Sequence, residues 1–158
     1  MLGVHVRRGD KTAGSAINGV EMADMTNDAV LSAVERVAVA CGFRRVFVAS
    51  RDTDLLAALP AWSERGGNVT FVANPGIAAL AGSDYSTADL VSASLDGSAE
   101  LLSAVTDITL LASADGFLGR LASNLSRVVA ELAAAQHVPT LFPSLSMGDD
   151  DWWWRAFP

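Results

Sequence analysis

Residues 2–11 read LGVHVRRGDK, and the rest of the chain takes its meaning from this stretch. LGVHV (2–6) is a short valine-rich run of the kind that forms a strand buried on both faces of a parallel sheet. The run then turns abruptly to charge, with Arg7, Arg8, Asp10 and Lys11 at the carboxyl end of the expected strand. A polar loop with Gly9, Gly14 and Gly19 follows.

Outward from this strand, the pattern repeats as helix, strand, helix, strand. Thr26, Asn27 and Asp28 form a helix start, because a small polar side chain can cap the first turn and an acid suits its positive end. AVLSAVERVAVACG carries the helical apolar period and stops at Gly42. RVFVAS (45–50) is the second strand, Asp52 caps a helix over 53–64 that ends at Gly66-Gly67, and NVTFVA (68–73) is the third strand. Residues 74–97 show no clear period. Helix returns at about 98–113, a short strand follows at 116–118, and Ser123 opens a helix that runs to about Gln136. VPTLF (138–142) is the expected last strand, and SLSMGDDDWWWRAFP has no clear secondary structure. Strands alternating with amphipathic helices predict an α/β fold: a Rossmann-like parallel sheet with helices on both faces. The expected division is a binding domain over 1–145 and an acidic, tryptophan-rich tail over 146–158.

Composition limits the classes of function. The chain has 158 residues, 51% of them hydrophobic and 18% charged, which excludes a disordered chain and suits one domain. Eleven basic residues against 18 acidic leave a net charge of −7, the wrong sign for a broad duplex-binding face. The mean hydropathy is +0.31. No apolar run approaches the roughly 18 residues of a membrane span. MLGVHVRRGDK turns charged within seven residues, unlike a cleavable signal. One cysteine, Cys41, excludes an intramolecular disulfide.

Ligands of parallel sheets bind beyond the carboxyl ends of the strands. That rule selects loops 7–19, 50–53 and 119–124. In the first, two arginines and a lysine can neutralise a pyrophosphate, the arginines through their planar fork. Strand alternation aims His5 and Arg7 to one side and Arg8 to the other. The plainer reading is a solvated charged loop. In the third loop, Ser123 and Asn124 offer a hydroxyl and free N–H groups at a helix start, which suits a phosphate; an ordinary N-cap would use the same serine. Two such places in one sheet point jointly at a diphosphate. Asp107, in the apolar stretch AVTDITLL, could accept from the paired N–H donors of guanine or simply face solvent. Asp149–Asp151, Trp152–Trp154 and His137 have no partner in the pattern, and the glycosylation sequons at Asn68 and Asn124 are frequent chance matches.

The segment His5-Val6-Arg7-Arg8-Gly9-Asp10-Lys11 resembles the first donor-site motif of the α1,6-fucosyltransferases, the N-glycan core and nodulation-type enzymes. RRVFVASRDTDLL resembles their next strand and turn, and AVTDITLLASADGFLGRLASNLSRVVAEL their last motif. The resemblance covers about residues 2–132 and implies the second, nucleotide-binding half of a GT-B-like glycosyltransferase. It implies GDP-fucose as donor, no metal or other cofactor, inversion at the transferred carbon, and a glycan acceptor. It also implies a first half-domain, or a partner chain, on the acceptor side of the cleft. For a eukaryotic source it implies the Golgi lumen.

By position, the resemblance pairs Arg7 with the β-phosphate and gives the guanine to His5 and Asp107. It lines the phosphates with Ala122, Ser123 and Asn124, and sets Asp10 and Lys11 near the transferred sugar as part of the catalytic group with Arg7. Arg8, Asp52 and Arg127 fall in supporting places. Where the family carries a candidate base four residues past the lysine, this chain has Ser15. Its Thr-Phe-Ser stretch is Arg120-Leu121-Ala122 here. Ser15 and the expected lack of the acceptor half keep a second reading in play: a non-catalytic nucleotide- or glycan-binding module, or an inactive fragment.

Overall fold

The computed structural model describes residues 1–7, 26–65, 67–74, 97–119, 123–136 and 144–146. Among them the chain forms β1 (Leu2–Val6), α1 (Asn27–Ala40), β2 (Arg45–Ser50), α2 (Thr53–Glu64), β3 (Thr70–Ala73), α3 (Gly97–Ala112), β4 (Gly116–Gly119), α4 (Asn124–Gln136) and β5 (Ser144–Ser146). The strands form one parallel sheet in the order β3-β2-β1-β4-β5. The chain therefore builds outward from β1 to β3, then returns to place β4 on the other side of β1. The order reverses between β1 and β4, and the crevice beyond their carboxyl ends is where such sheets bind ligands.

Pleat alternation divides the core between two faces. Leu2, Val4 and Val6 pack with Val46, Val48, Phe71 and Leu118 against Val30, Leu31, Val34, Leu55 and Leu59 of α1 and α2. On the other face, Phe47, Ala49 and Phe117 pack with Leu111, Ala112 and Val129 of α3 and α4. Gly3 lies under α3. A Cβ there would come within 3.1 Å of Leu111 Cδ2 and 3.3 Å of its Cα, so the glycine sets how closely helix and strand approach. The expected α/β architecture with helices on both faces is the one observed.

The element ends follow local chemistry. The Thr26 side chain accepts from Ala29 N at 3.2 Å, and the Asp52 carboxylate from Leu55 N at 3.0 Å. α1 ends in a paired turn, with Phe43 N donating to Ala38 O at 2.8 Å and Gly42 N to Val39 O at 3.1 Å. Gly42 takes φ +76° in this turn, a left-handed conformation that costs a side-chain-bearing residue about 1–2 kcal/mol. α1 and α2 are tied by Trp62 Nε1 donating to Glu35 Oε2 at 3.2 Å.

Two expectations need correction. The third strand starts at Thr70, because Asn68 and Val69 precede the register that begins at Arg45↔Thr70. More substantially, a last strand is observed at Ser144–Ser146, inside the stretch expected to be irregular, and VPTLF (138–142) lies outside the described residues. Ser144, Leu145 and Ser146 pair with Phe117, Leu118 and Gly119. The open edge of β4 supplies hydrogen-bond partners that make a strand of a polar tripeptide with no strand pattern of its own.

Candidate functional site

β1 and β4 are parallel neighbours, so their carboxyl ends, from which the first and third selected loops depart, lie side by side at the switch point. His5 is the penultimate residue of β1 and shares the α3/α4 face with Gly3. Its Nδ1 lies 2.7 Å from the Oγ of Ser126, in the first turn of α4, and both residues are buried. Burial first, and the Arg7 charge second, lower the imidazole pKa from 6.5 to about 4. His5 is therefore neutral at pH 7, and it acts through hydrogen bonds and not as a cation. Arg7 follows the last residue of β1, and its positive charge disfavours a second one on His5.

Across the switch point, α4 begins immediately beyond the short loop after β4. The Ser123 carbonyl accepts the first helical bond, from Arg127 N at 3.1 Å, so Ser123 occupies the N-cap position. Its side chain does not cap. The Ser123 hydroxyl, in a residue 3% exposed, has no hydrogen-bond partner among the described residues. An unpaired buried hydroxyl costs about 1–3 kcal/mol. The opening turn of a helix also carries N–H groups without intrahelical partners, at its positive end. An orphan hydroxyl beside these donors is the chemistry of an anion site.

Asp107 lies on α3 and is 5% exposed, which excludes the solvent-facing reading. Asn74, just past β3, donates through Nδ2 to Asp107 Oδ1 at 3.1 Å and to Ser103 Oγ at 3.3 Å. Burial pushes the Asp107 carboxyl above its ordinary value, opposed by the Asn74 hydrogen bond and the charge of Arg51. A carboxylate has about four acceptor positions, so the bond from Asn74 leaves room for further donors.

Of the residues singled out in the sequence, His5 and Arg7 stand at the carboxyl end of β1, Ser123 and Asn124 at the start of α4 that follows β4, and Asp107 on α3, which packs beside α4 on the same face of the sheet. Asp52 caps α2. Arg8, Asp10, Lys11, Ser15, Arg120, Ala122, His137, Asp149–Asp151 and Trp152–Trp154 lie outside the described residues. Two residues at the site were not anticipated. Ser126 showed only as part of a sequon, because nothing in a linear pattern pairs it with a histidine 121 positions earlier. Asn74 carried a readable signal: it is the first polar residue past a parallel strand, the position from which the other loops were selected.

No protein-family model matches the chain, and no curated protein matches it in sequence. Solved structures do match its fold. The crystal structure of POFUT1 in complex with GDP-fucose matches with a TM-score of 0.57 at 14% identity, over 94% of this chain and 42% of that one. POFUT1 in complex with GDP matches with a TM-score of 0.52 at 15% identity, over 94% and 41%. The chain thus spans about two-fifths of the length of the structures it matches. At these identities the likeness is one of fold: the chain shares an α/β fold with part of POFUT1.

Proposed function

We propose that this chain is the donor-binding domain of a fucosyltransferase, with GDP-fucose as its substrate, and that it transfers fucose to a glycan when a further half-domain completes the cleft. The observation that carries the reading is the pairing at the switch point. Arg7 leaves β1 on one side, and a buried, partnerless Ser123 hydroxyl opens α4 on the other. An arginine facing a helix start across a β1–β4 crevice is what a diphosphate requires. The complexes of POFUT1 with GDP and GDP-fucose, on a related fold, support the choice of ligand. The residues from His5 to Lys11 favour the α1,6 branch, and hence a glycan acceptor; the likeness to POFUT1 is compatible with either branch.

In this reading the guanine lies between His5 and Asp107. The carboxylate accepts from the N1–H and N2–H₂ pair, and the neutral imidazole adds a hydrogen bond without a charge. As the bond from the sugar carbon to the β-phosphate oxygen breaks, negative charge grows on the phosphate and the sugar becomes oxocarbenium-like. Arg7 and the N–H groups at the start of α4 are fixed in advance where that charge develops. The sequence resemblance assigns Asp10 and Lys11 to the transferred sugar. The acceptor hydroxyl attacks from the opposite face with inversion, and its proton needs a base. Ser15 stands where that base is expected, so the base comes from elsewhere in the completed cleft.

Calorimetric titration with GDP, with ADP as control and EDTA present, tests the reading. We expect GDP to bind and ADP to bind far more weakly. Arg7→Ala should weaken GDP by roughly 10- to 150-fold, the equivalent of about 1.5–3 kcal/mol for a lost charged hydrogen bond. A folded parent that ignores GDP, or an Arg7→Ala variant that binds as tightly as the parent, refutes the assignment. Ser15 also favours a second reading, a binding module without catalysis. Transfer by the unaltered chain beside a supplied first half would remove that reading, whereas transfer only after Ser15→Glu would support it.

A further inference from the structure

We propose that Ser126 is a positioning residue for His5, holding the imidazole in one orientation toward the nucleotide base. The proposal rests on the reading of the crevice as a GDP site, and it adds a residue that lies outside the motif positions. Three elements converge to make the contact. β1 supplies His5, α4 supplies Ser126, and their atoms Nδ1 and Oγ are 2.7 Å apart. β4 supplies Gly119, and a Cβ at that position would fall 2.8 Å from Ser126 Oγ and 2.6 Å from Phe117 Cζ. The glycine therefore leaves the space in which the serine hydroxyl meets the imidazole.

The Ser126 hydroxyl can donate to Nδ1 or accept from it, so the contact fixes where the ring points and not which nitrogen carries the proton. Ser126 is fully buried, so the ring is oriented by the fold before any ligand arrives. A base-facing group held in one orientation keeps its hydrogen bond aimed at the ligand; one that turns between two does not. Ser126 itself does not touch the nucleotide in this arrangement. It acts only through His5.

A double-mutant cycle on GDP affinity separates this role from a merely structural one. Ser126→Ala should weaken GDP by about 5- to 10-fold when His5 is present and by less than 2-fold in a His5→Gln background. A structural role predicts equal losses in the two backgrounds. Ser126→Cys preserves the side-chain volume with a much weaker hydrogen-bonding group, and it serves if the alanine variant folds poorly. Independently, the ¹⁵N shifts of the His5 ring in the ligand-free chain should report a hydrogen-bonded Nδ1 in the parent and lose that signature in Ser126→Ala. Equal losses, no loss, or ring shifts unchanged by the substitution would overturn the proposal. The ring measurement needs no ligand. If GDP does not bind the parent, the donor-site reading fails, and the shifts still decide the Ser126–His5 assignment.

Discussion

At the scale of single residues, charge state follows from burial. His5 sits where an imidazolium would lose its hydration and face the Arg7 guanidinium, so its proton affinity falls from 6.5 to about 4. Between those two values the unfolded chain binds a proton that the folded chain refuses. Stability from this group is therefore complete above pH 6.5 and is lost as pH falls toward 4, by up to about 3 kcal/mol. Asp107 acts in the opposite sense, since its raised pKa makes the folded state the better proton acceptor as pH falls. We expect urea unfolding of His5→Gln to show a flatter loss of stability between pH 6.5 and 4 than the parent. Equal slopes in the two proteins would mean that His5 is protonated in the folded state.

At the scale of elements, the helix starts divide into two kinds. Thr26 and Asp52 satisfy the first turns of α1 and α2 with their own side chains. Ser123 stands in the equivalent place on α4 with its hydroxyl unpaired. Replacing a working cap costs about 1 kcal/mol, so Asp52→Ala should lower stability by that amount. Ser123→Ala should cost nothing or stabilise slightly, because it removes an orphan hydroxyl and no cap. Parallel denaturation of the two variants checks the contrast. A loss of 1 kcal/mol or more in Ser123→Ala would show that its hydroxyl caps the helix after all. The sequence identified all three positions as helix starts, but the type of cap depends on where each hydroxyl or carboxylate lies in the folded chain.

At the scale of the whole molecule, the site depends on how α3 and α4 seat against the sheet. Gly3 permits α3 to approach β1 closely, and α3 carries Asp107 one turn from the Leu111 that touches Gly3. A valine there must displace Leu111 and Ala114, in part against backbone atoms. Gly3→Val should therefore destabilise by about 1–3 kcal/mol, the cost of overpacking a core, and it should weaken GDP binding by displacing Asp107. A stability and affinity equal to the parent's would show that α3 can shift without consequence. The matched structures fit this scale: sequence identity near 15% accompanies a shared fold, as expected when many sequences can fill one core.

The sequence alone determined the elements and their type. Buried parallel strands are continuous apolar runs, helices carry a 3.6-residue period, and Thr26, Asp52 and Gly42 are local terminators whose chemistry needs no distant partner. It also singled out Arg7 and Ser123, with His5 beside them, near the strand ends where parallel sheets present ligands, and Asp107 as an acid in an apolar helical stretch. Only the tertiary structure decided the rest. β5 exists because β4 offers it an edge, and Ser144–Ser146 carries no strand pattern of its own to announce it. Ser126 meets His5, and Asn74 meets Asp107, through strand order and helix packing that join residues 121 and 33 positions apart. Such pairs leave no local period or cap to read, since each is made by the approach of two elements and not by either one.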